Sequence, residues 1–323
     1  MGIDKLKNEI FLWVEQYLFF PNIFQKLISI TLFPLTILYC LVILYKRAKT
    51  GILFVPPIPT ISIGNLILGG SGKTPIVQNL SSKYNDIAIV LRGYGRLTKG
   101  LIVVSSCGNI KVCSKQSGDE AMQLAVALKA ATIIVSEDRI KGIIKAHELG
   151  CKVVFLDDAF AKQNIKKFDI LIRPKGEPTN LFCLPSGGYK QPKSFYSMAD
   201  MVVQDGVDFQ RVVSFEQNGQ KLKTLPEDVV CITAISKPKR LQEFLPNNCD
   251  IKSFYDHYRF KKSDIDEIKQ NYANHTIITT TKDIVKLSNM LDEEPILIKL
   301  NIKIKKSFNI KLIDDYIKEY KYA

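Results

Sequence analysis

The sequence predicts an α/β protein in which helices cover a parallel sheet and a second, smaller α/β unit follows. Four apolar runs have the length and composition of buried strands: 87–91, 132–135, 152–156 and 169–172. Helical patterns at 121–131 and 140–149 lie between them. Because strand and helix alternate, we expect a parallel sheet whose ligands bind at the carboxyl ends of its strands.

A glycine-rich stretch is the second observation, since it stands between a predicted strand, Pro59–Ile63, and a predicted helix, Ile76–Lys83. It reads Gly64-Asn-Leu-Ile-Leu-Gly-Gly-Ser-Gly-Lys-Thr-Pro75. A strand, a glycine-rich turn, Gly-Lys-Thr and a helix together predict a P-loop NTPase-like domain, in which backbone N–H groups and the helix N-terminus bind phosphates. The alternative is an ordinary strand–helix turn in which Lys-Thr occurs by chance.

This phosphate-binding loop predicts ATP and Mg²⁺ as cofactors. Lys73 can reach the outer phosphates and neutralise charge during catalysis, and the Thr74 hydroxyl can ligate the metal ion. A glycine is usual at position 67, so Ile67 makes the start of the loop atypical. The predicted nucleotide-binding residues are Gly69, Gly70, Ser71, Gly72, Lys73 and Thr74.

Carboxylates follow two of the predicted elements. Asp157 and Asp158 end a strand, where an acidic residue is the expected magnesium-binding partner of a phosphate-binding loop; a surface turn is the alternative. Asp119 precedes the helix 121–131, and two interpretations of it remain open. It caps that helix, or it accepts a proton from a substrate hydroxyl during phosphoryl transfer.

Basic side chains near strand ends are candidate contacts for anionic oxygens. Arg92 lies in Arg92-Gly-Tyr-Gly95 after the strand 87–91, and Arg139 follows the strand 132–135. Arginine can bind such oxygens in a bidentate fashion, although solvated arginines in ordinary turns fit the pattern equally well. His257, in Phe254-Tyr-Asp-His-Tyr258, is a candidate for sharing a proton with a carboxylate, and the other two histidines are expected to be structural.

Composition limits the classes of partner. The chain has 323 residues, of which 46% are hydrophobic, and a formal net charge of +13. The charge predicts an anionic partner, phospholipid or a phosphorylated substrate; without an RNA- or DNA-binding motif, nucleic acid is not expected. The seven cysteines include no Cys-x-x-Cys pair, which is typical of reduced cytosolic thiols. No obligatory protein partner is indicated.

Residues 1–50 are predicted to form a membrane-associated helical segment. Leu27–Tyr45 carries no charged residue and approaches the length that crosses the hydrocarbon layer. Lys46, Arg47 and Lys49 follow, and such residues keep their side of a membrane protein cytoplasmic. We therefore expect an inner-membrane protein with catalytic domains on the cytoplasmic face; a buried helical hairpin of a soluble protein is the alternative.

The distribution of predicted strands, helices and turns divides the rest of the chain into two domains and a linker. Residues 51–204 are expected to form the P-loop nucleotide-binding domain. Asn218-Gly219 between two short apolar runs predicts a β-hairpin, and we take 205–228 as a linker. Residues 229–323 are expected to form the smaller C-terminal α/β domain, and a cleft between two domains suits a reaction that joins two substrates.

Seven motifs in this order resemble those of the tetraacyldisaccharide 4′-kinase, or lipid A 4′-kinase, family over nearly the whole chain. They are Gly64-Asn-Leu…Gly-Gly-Ser-Gly-Lys-Thr-Pro75, Arg92-Gly-Tyr-Gly95, Gly118-Asp-Glu120, Asp157-Asp-Ala-Phe160, Leu184-Pro-Ser-Gly187, Asp256-His-Tyr258 and Thr280-Thr-Lys-Asp283. The resemblance implies transfer of the γ-phosphoryl of ATP to the 4′-hydroxyl of tetraacyldisaccharide 1-phosphate in lipid A biosynthesis. The acceptor would be reached at an anionic membrane surface.

The resemblance also implies roles for individual residues. Asp119 is implied to be the general base with His257 as its partner, and Asp157 and Asp158 are implied to be associated with Mg²⁺. Arg92 and Arg139 are implied to contact phosphate or the acceptor.

Two stretches depart from the family pattern. Ala159, Ala161 and Lys162 replace a Gly, a Gln and a His. The stretch Gly187-Gly-Tyr-Lys-Gln191 replaces Gly-Pro-Leu-Arg-Glu, so the acceptor contacts there are expected to differ.

Three functions compete at this point. The first is a membrane-associated lipid kinase, the second a membrane-tethered P-loop ATPase or nucleotide switch, and the third a non-enzymatic binder of anionic lipid. Asp119 together with His257 favours the kinase, because a switch must position water but need not deprotonate a sugar hydroxyl.

Overall fold

The computed structural model of the protein describes residues 2–69, 72–235, 238–255, 258–287 and 289–320; for 2–5, 7, 8, 239, 240 and 285 it describes the backbone only. The chain forms two compact units. The larger unit consists of Gln16–Gln210 and Ile302–Ala323, and the smaller unit of Met1–Glu15 and Arg211–Asn301.

An eight-stranded sheet forms the centre of the larger unit. Its strands in chain order are β1 (Thr60–Gly64), β2 (Ile87–Leu91), β3 (Ile102–Ser106), β4 (Asn109–Ile110), β5 (Thr132–Val135), β6 (Val153–Asp157), β7 (Phe168–Arg173) and β8 (Met201–Gln204). Across the sheet they lie in the order β4-β3-β5-β2-β6-β1-β7-β8. From β5 to β8 every neighbouring pair is parallel, and β3 and β4 add antiparallel pairs at one edge. The parallel sheet that the sequence predicts is therefore present.

Helices cover both faces of this sheet. The α-helices of the chain are α1 (Gly2–Phe19), α2 (Ile23–Thr31), α3 (Phe33–Ala48), α4 (Lys73–Ser81), α5 (Ser114–Ser117), α6 (Asp119–Ala127), α7 (Arg139–Glu148), α8 (Lys262–Asn271), α9 (Ile284–Leu287) and α10 (Ile310–Glu319). Ile89 of β2 belongs to a core cluster with residues of α4, α6 and α10. Its neighbour Val90 belongs to a second cluster with Ile143 of α7. Since successive strand residues point to opposite faces, the two clusters lie on opposite sides of the sheet.

The register of β1 sets the position of the candidate site. β1 pairs with β6 so that Ile63 lies opposite Asp157, and with β7 so that Gly64 lies opposite Leu171. All five residues of β1 are buried. The chain segments that leave β1 and β6 therefore emerge side by side at the carboxyl edge of the sheet, where parallel α/β sheets bind ligands.

The N-terminal helices turn polar side chains towards the body of the larger unit. The Ser29 hydroxyl donates to the Ser186 carbonyl at 2.6 Å, and the Thr36 hydroxyl donates to the Ser186 hydroxyl at 2.8 Å. Gln25, Ser29 and Thr36 are all buried. This polarity is the reverse of that of an ordinary surface helix, which buries its apolar face.

Large apolar side chains form the outer surface of α2 and α3. Ile23 is 82% exposed and Leu38 is 59% exposed. Others on the two helices are Phe24, Leu27, Ile30, Phe33, Leu35, Ile37, Leu41, Val42, Leu44 and Tyr45. Among the described residues no single helix is long and apolar enough to cross a bilayer, but α2 and α3 together pass that test as a pair bent by 56°.

The C-terminal segment belongs to the larger unit. The Tyr316 hydroxyl donates to the Thr60 carbonyl at 3.1 Å, and Ile302, Phe308 and Ile313 are buried in the core cluster that holds α4. The sequence assigns 302–323 to the smaller domain because these residues follow it directly. The compact units divide the chain differently, since the apolar side chains of this segment complete the core under β1.

A six-stranded sheet forms the centre of the smaller unit. Its strands are β9 (Phe209–Gln217), β10 (Gln220–Leu222), β11 (Val229–Thr233), β12 (Asp250–Ser253), β13 (Thr276–Thr280) and β14 (Ile296–Ile304), in the order β10-β9-β14-β13-β11-β12. Asn218 and Gly219 both have positive φ, as the tight turn between β9 and β10 requires. The hairpin lies within the expected linker, but its strand β9 is a member of this sheet.

A buried carboxylate joins two strand ends of the smaller unit. Asp283 Oδ2 accepts hydrogen bonds from the Thr233 hydroxyl at 2.9 Å and from the Thr280 hydroxyl at 2.7 Å. Thr233 ends β11 and Thr280 ends the neighbouring β13. The Thr280-Thr-Lys-Asp283 motif therefore fixes the carboxyl edge of this second sheet.

The close approach of Gly188 to Phe19 yields a test of the fold. A Cβ added at Gly188 would lie 2.4 Å from Phe19 Cε1, and Phe19 is buried. We expect Gly188→Ala to lower the free energy of unfolding by about 1–3 kcal/mol, because the packed ring has to move. Gly176→Ala is the matched control, since its added Cβ meets no atom within 4 Å. Equal denaturation midpoints for the two variants would contradict this packing.

Candidate active site

The phosphate-binding loop begins where β1 ends. Asn65 and Leu66 are buried directly after β1, and the loop ends at Gly72, whose left-handed backbone, with φ of 72°, leads into α4. Only glycine adopts this conformation readily, so Gly72 allows the helix to start at Lys73 with its N-terminus directed at the loop. Gly70 and Ser71, two of the predicted nucleotide-binding residues, lie outside the described residues.

Ile67 stands where a glycine is usual, and its surroundings explain the change. Its side chain is 2% exposed and belongs to a core cluster with Tyr189 and Phe195. Its backbone forms an isolated antiparallel bridge with Tyr189. The first half of the loop is thus held by packing against the segment 183–190.

Lys73 lies at the centre of a polar network. Its ammonium group donates to Asn65 Oδ1 at 3.1 Å and lies 3.9 Å from Asp158 Oδ1. Asn65 in turn donates through Nδ2 to the Ile67 carbonyl at 2.7 Å. Lys73 is therefore held at the mouth of the loop by partners that a phosphate group can replace.

Lys190 joins the same network, although sequence reasoning did not name it as a site residue. Its ammonium group donates to Asn65 Oδ1 and to both carboxylate oxygens of Asp158, each at 3.1 Å. The signal in the sequence was the positive charge that Gly187-Gly-Tyr-Lys-Gln191 keeps where the family has Gly-Pro-Leu-Arg-Glu. Asn65, from the Gly64-Asn-Leu motif, was likewise not named as a site residue from the sequence.

Asp157 and Asp158 differ in environment. Asp157, the last residue of β6, is 9% exposed, and its Oδ1 has no hydrogen-bond partner among the described residues. Burial raises the pKa of the Asp157 carboxyl to about 7, and Glu120 and Asp158 contribute in the same direction against Lys73 and Arg139. Burial alone would raise the pKa of Asp158 too, but Lys73 and Lys190 outweigh it and hold that pKa below its usual value.

This pair fits the expected magnesium ion. No group of three His, Cys, Asp or Glu side chains within the described ranges could hold a metal by itself. Mg²⁺ in phosphoryl-transfer sites is usually bound by one or two carboxylates together with phosphates of the substrate. The buried, unpartnered oxygen of Asp157 is a hard ligand of the required kind, so these residues fit an ion that arrives with a nucleotide.

Arg139 supports the strand end that carries Asp157. It is 5% exposed, and its guanidinium donates to the Ser136 carbonyl at 2.6 Å and to the Asp157 carbonyl at 3.0 Å. Burial lowers the pKa of Arg139, although Asp157 and Asp158 oppose the effect. The structure thus gives Arg139 a bracing role, and its predicted contact with the acceptor stays a prediction.

A small pocket, partly open to solvent, lies beside the carboxylates. It is lined by Leu91, Arg92, Gly93, Tyr94, Ser117, Gly118, Glu120, Ala121, Arg139, Asp157 and Asp158. The pocket therefore brings together three of the predicted motifs, which follow β2, start α6 and end β6, and Arg139 joins them from the start of α7. Arg92 packs on the Tyr94 ring, with 5.1 Å from its guanidinium carbon to the ring centroid.

Asp119 lies at the rim of this pocket. It is the first residue of α6, and its neighbours Gly118 and Glu120 both line the pocket. The N-cap of α6 is Gly118, with φ of 85°. Asp119 is therefore not the N-cap residue, which was one of the two interpretations of Asp119 in the sequence. A Cβ at Gly118 would lie 2.7 Å from the Tyr94 carbonyl oxygen, which shows how closely the two pocket walls approach. Glu120 was not singled out from the sequence.

Comparison with known proteins shows which family the chain resembles. The family model described as tetraacyldisaccharide-1-P 4′-kinase matches residues 28–318. The tetraacyldisaccharide 4′-kinase of Aliarcobacter butzleri is 53% identical over 98% of this chain and 100% of its own length. That of Helicobacter pylori strain 26695 is 41% identical over 96% of each chain.

The chain belongs to the tetraacyldisaccharide-1-P 4′-kinase family. A solved structure of LpxK from Aquifex aeolicus in complex with ATP has the same fold, with a TM-score of 0.70 and 26% identity over 90% of this chain and 99% of that one. The predictions of the family, of the α/β fold and of an ATP-dependent lipid A kinase are therefore confirmed. The expected roles of single residues are not tested by these similarities.

Two predicted site residues need separate mention. His257 and its neighbour Asp256 lie outside the described residues, so the pairing of Asp119 with His257 stays a prediction. Thr74 is the second residue of α4, on the first turn after the loop, as its expected contact with Mg²⁺ requires. That contact is likewise a prediction.

The raised pKa of Asp157 yields a prediction for the protein without metal and nucleotide. Between its ordinary pKa of 3.8 and about 7, the folded protein keeps a proton that the unfolded chain has released. Stability from this group is therefore full below about pH 4 and is lost as the pH rises towards 7, by up to about 4 kcal/mol. Asp157→Asn removes the titrating group, so the difference in free energy of unfolding between variant and wild type should change across this range.

Urea unfolding at a series of pH values measures this difference. Asp266→Asn, at an exposed position of α8, is the matched control and should follow the wild-type profile. A profile of Asp157→Asn that runs parallel to the wild type from pH 4 to 7 would show that Asp157 titrates normally.

Proposed function

We propose that Asp119 acts as the general base when the γ-phosphoryl of ATP moves to the 4′-hydroxyl of tetraacyldisaccharide 1-phosphate. The observation that carries the proposal is that Lys73 lies close to Asp158 while Asp157 and Asp158 line a pocket together with Gly118 and Glu120, the chain neighbours of Asp119. Phosphoryl transfer needs positioned reactants and compensated phosphate charge more than covalent chemistry from the protein. The carboxyl edge of the sheet carries groups for both tasks.

The residues of the site have different roles in phosphate and metal binding. The loop amides and the α4 N-terminus bind phosphate, and Lys73 neutralises charge on the outer phosphates. Asp157, Asp158 and Thr74 would hold Mg²⁺, which when bound would compensate negative charge on the phosphates. Arg139 keeps the Asp157 backbone in place, so the carboxylate does not depend on the metal for its position.

The acceptor end of the pocket carries positive charge and an acid–base group. Arg92 and Arg139 line it and would contact anionic oxygens of the phosphorylated acceptor. Asp119 is the first residue of α6, and a carboxylate there can accept the proton of the acceptor hydroxyl. His257 would share the proton, as the family resemblance implies.

The exposed apolar face of α2 and α3 supports a membrane-surface location. A tetraacylated substrate leaves a bilayer only at a cost of about 0.8 kcal/mol for each exposed CH₂ group, so the enzyme has to reach it at the surface. The two helices bury Gln25, Ser29 and Thr36 and expose large apolar side chains such as Leu27 and Leu38. The exposed Lys46, in the last turn of α3, would face anionic headgroups on the cytoplasmic side of the inner membrane.

A transfer assay tests the role of Asp119. With labelled ATP, Mg²⁺ and tetraacyldisaccharide 1-phosphate in detergent micelles, Asp119→Asn should lower lipid phosphorylation by about 10²-fold or more, because the base is lost. The ATP affinity, measured by fluorescence titration, should stay within about two-fold, since Asp119 does not bind phosphate in this scheme.

The control and the adverse results are distinct. Asp266→Asn should phosphorylate lipid at the wild-type rate. Undiminished transfer by Asp119→Asn would remove Asp119 as the base. Label released by the wild type only as free phosphate, at a rate indifferent to the lipid, would favour an ATPase instead.

A second experiment tests the membrane surface. The double variant Leu27→Glu with Leu38→Glu should bind phosphatidylglycerol-containing vesicles at least about ten-fold more weakly, because two leucines no longer bury their side chains in lipid. Co-sedimentation measures the affinity. Val207→Glu is the control, since Val207 is 54% exposed but lies away from the N-terminal helices in the sequence. Equal vesicle binding by both variants and the wild type would contradict this surface.

A further inference from the structure

Lys190 makes contacts with three different elements. Its backbone N–H donates to the Leu66 carbonyl in the phosphate-binding loop at 2.7 Å. Its backbone carbonyl accepts a hydrogen bond from the Tyr39 hydroxyl of α3 at 2.8 Å. Its ammonium group reaches Asn65 and both oxygens of Asp158. One residue therefore touches the N-terminal helix pair, the loop and the carboxylate after β6.

The segment that carries Lys190 is held firmly against the loop. The Leu68 N–H donates to the Gly188 carbonyl at 2.8 Å, and Ile67 forms a bridge with Tyr189. Tyr189 is completely buried. Because the segment is fixed on both sides of Tyr189, a shift of its backbone moves the loop and the Lys190 side chain together.

Tyr39 connects the helix pair, α2 and α3, to Lys190 through the hydrogen bond from its hydroxyl to the Lys190 carbonyl. The other side-chain bonds from the pair described above end further back in the segment, as those of Ser29 and Thr36 do at Ser186. Tyr39 lies on α3 between outward-facing leucines, Leu38 and Leu41, which are more than half exposed. A change in how α3 is seated would therefore act on the Lys190 backbone through Tyr39.

The ammonium group of Lys190 places two groups that the nucleotide needs. Asn65 Oδ1 accepts from both Lys190 and Lys73, at 3.1 Å each, so Lys190 shares the partner that holds the loop lysine. Its equal contacts with both oxygens of Asp158 fix the rotation of that carboxylate. A displaced Lys190 would release Asp158 and Lys73 from their present positions.

We infer that Lys190 is a positioning residue that links the seating of α3 on a lipid surface to the geometry of Lys73 and Asp158. Lipid docking and nucleotide binding then strengthen each other. The inference rests on the proposed membrane-surface function for its lipid side and on the P-loop for its nucleotide side. By thermodynamic linkage, vesicles must tighten nucleotide binding by the same factor by which nucleotide tightens vesicle binding.

The test compares two tyrosine variants of the full chain. The affinity for a fluorescent ATP analogue with Mg²⁺ is measured with and without vesicles of equal parts phosphatidylethanolamine and phosphatidylglycerol. We expect vesicles to tighten wild-type nucleotide binding about five-fold, the factor that one hydrogen bond supplies, and Tyr39→Phe to lose most of this gain. Tyr17→Phe is the matched control, since the Tyr17 hydroxyl bonds the Pro185 carbonyl rather than Lys190. It should keep the gain.

Two substitutions of Lys190 separate positioning from general stability. Lys190→Met, which cannot hold Asp158, should lose the vesicle gain and bind nucleotide more weakly. Lys190→Arg keeps the cation and should retain both properties within about two-fold. Far-ultraviolet circular dichroism and the melting temperature check that each variant is folded.

The results that overturn the inference are specific. The first is a wild-type nucleotide affinity that does not change when vesicles are added. The second is a vesicle-dependent gain in nucleotide affinity that stays complete in Tyr39→Phe or Lys190→Met. The third is an equal loss of this gain in Tyr39→Phe and Tyr17→Phe. Lipid phosphorylation is assayed on the same proteins. If that activity is absent while the binding gain persists, the proposed kinase chemistry fails and the link through Lys190 stands.

Discussion

Because β1 and β6 pair in parallel with Ile63 opposite Asp157, the phosphate-binding loop and two carboxylates leave the sheet side by side. The other parts of the site depend on this register. A slip of one residue would turn the side chains of β1 to the opposite face and break the core that α4 and α10 share beneath it. Burial of all five β1 residues makes such a slip costly. The apolar core thus fixes the distance between the phosphate-binding loop and the two carboxylates.

The site concentrates buried charge that the fold does not need for its stability. Among the described residues, one oxygen of the buried Asp157 carboxylate has no partner, and Arg139 donates to the Asp157 backbone carbonyl. An arrangement of this kind is unfavourable in an empty protein, and such departures from good packing are expected where a ligand binds. Magnesium and a triphosphate would supply the missing partners.

The N-terminal helices and the segment 180–190 form one continuous polar interface. Ser29, Thr36 and Tyr39 bond to this segment, and Lys190 at its end reaches Asp158. The helices can expose apolar side chains because their hydrogen-bonding groups are satisfied on the inner side. A surface suited to lipid and a site suited to nucleotide are thereby joined through a single stretch of backbone.

The sequence by itself determined the parallel α/β architecture, the phosphate-binding loop with Lys73, the acidic pair and the kinase family, because each depends on local pattern or on an ordered set of motifs. Contacts between segments that are distant in the chain were decided only by the tertiary structure, because local patterns carry no information about them. Lys190 and Asn65 enter the site through a contact between segments distant in the chain, and Arg139 hydrogen-bonds the Asp157 backbone. Ile302, Phe308 and Ile313 complete the core under β1. Local pattern records which face of an element is apolar. Which distant segment covers that face is settled only when the whole core is packed.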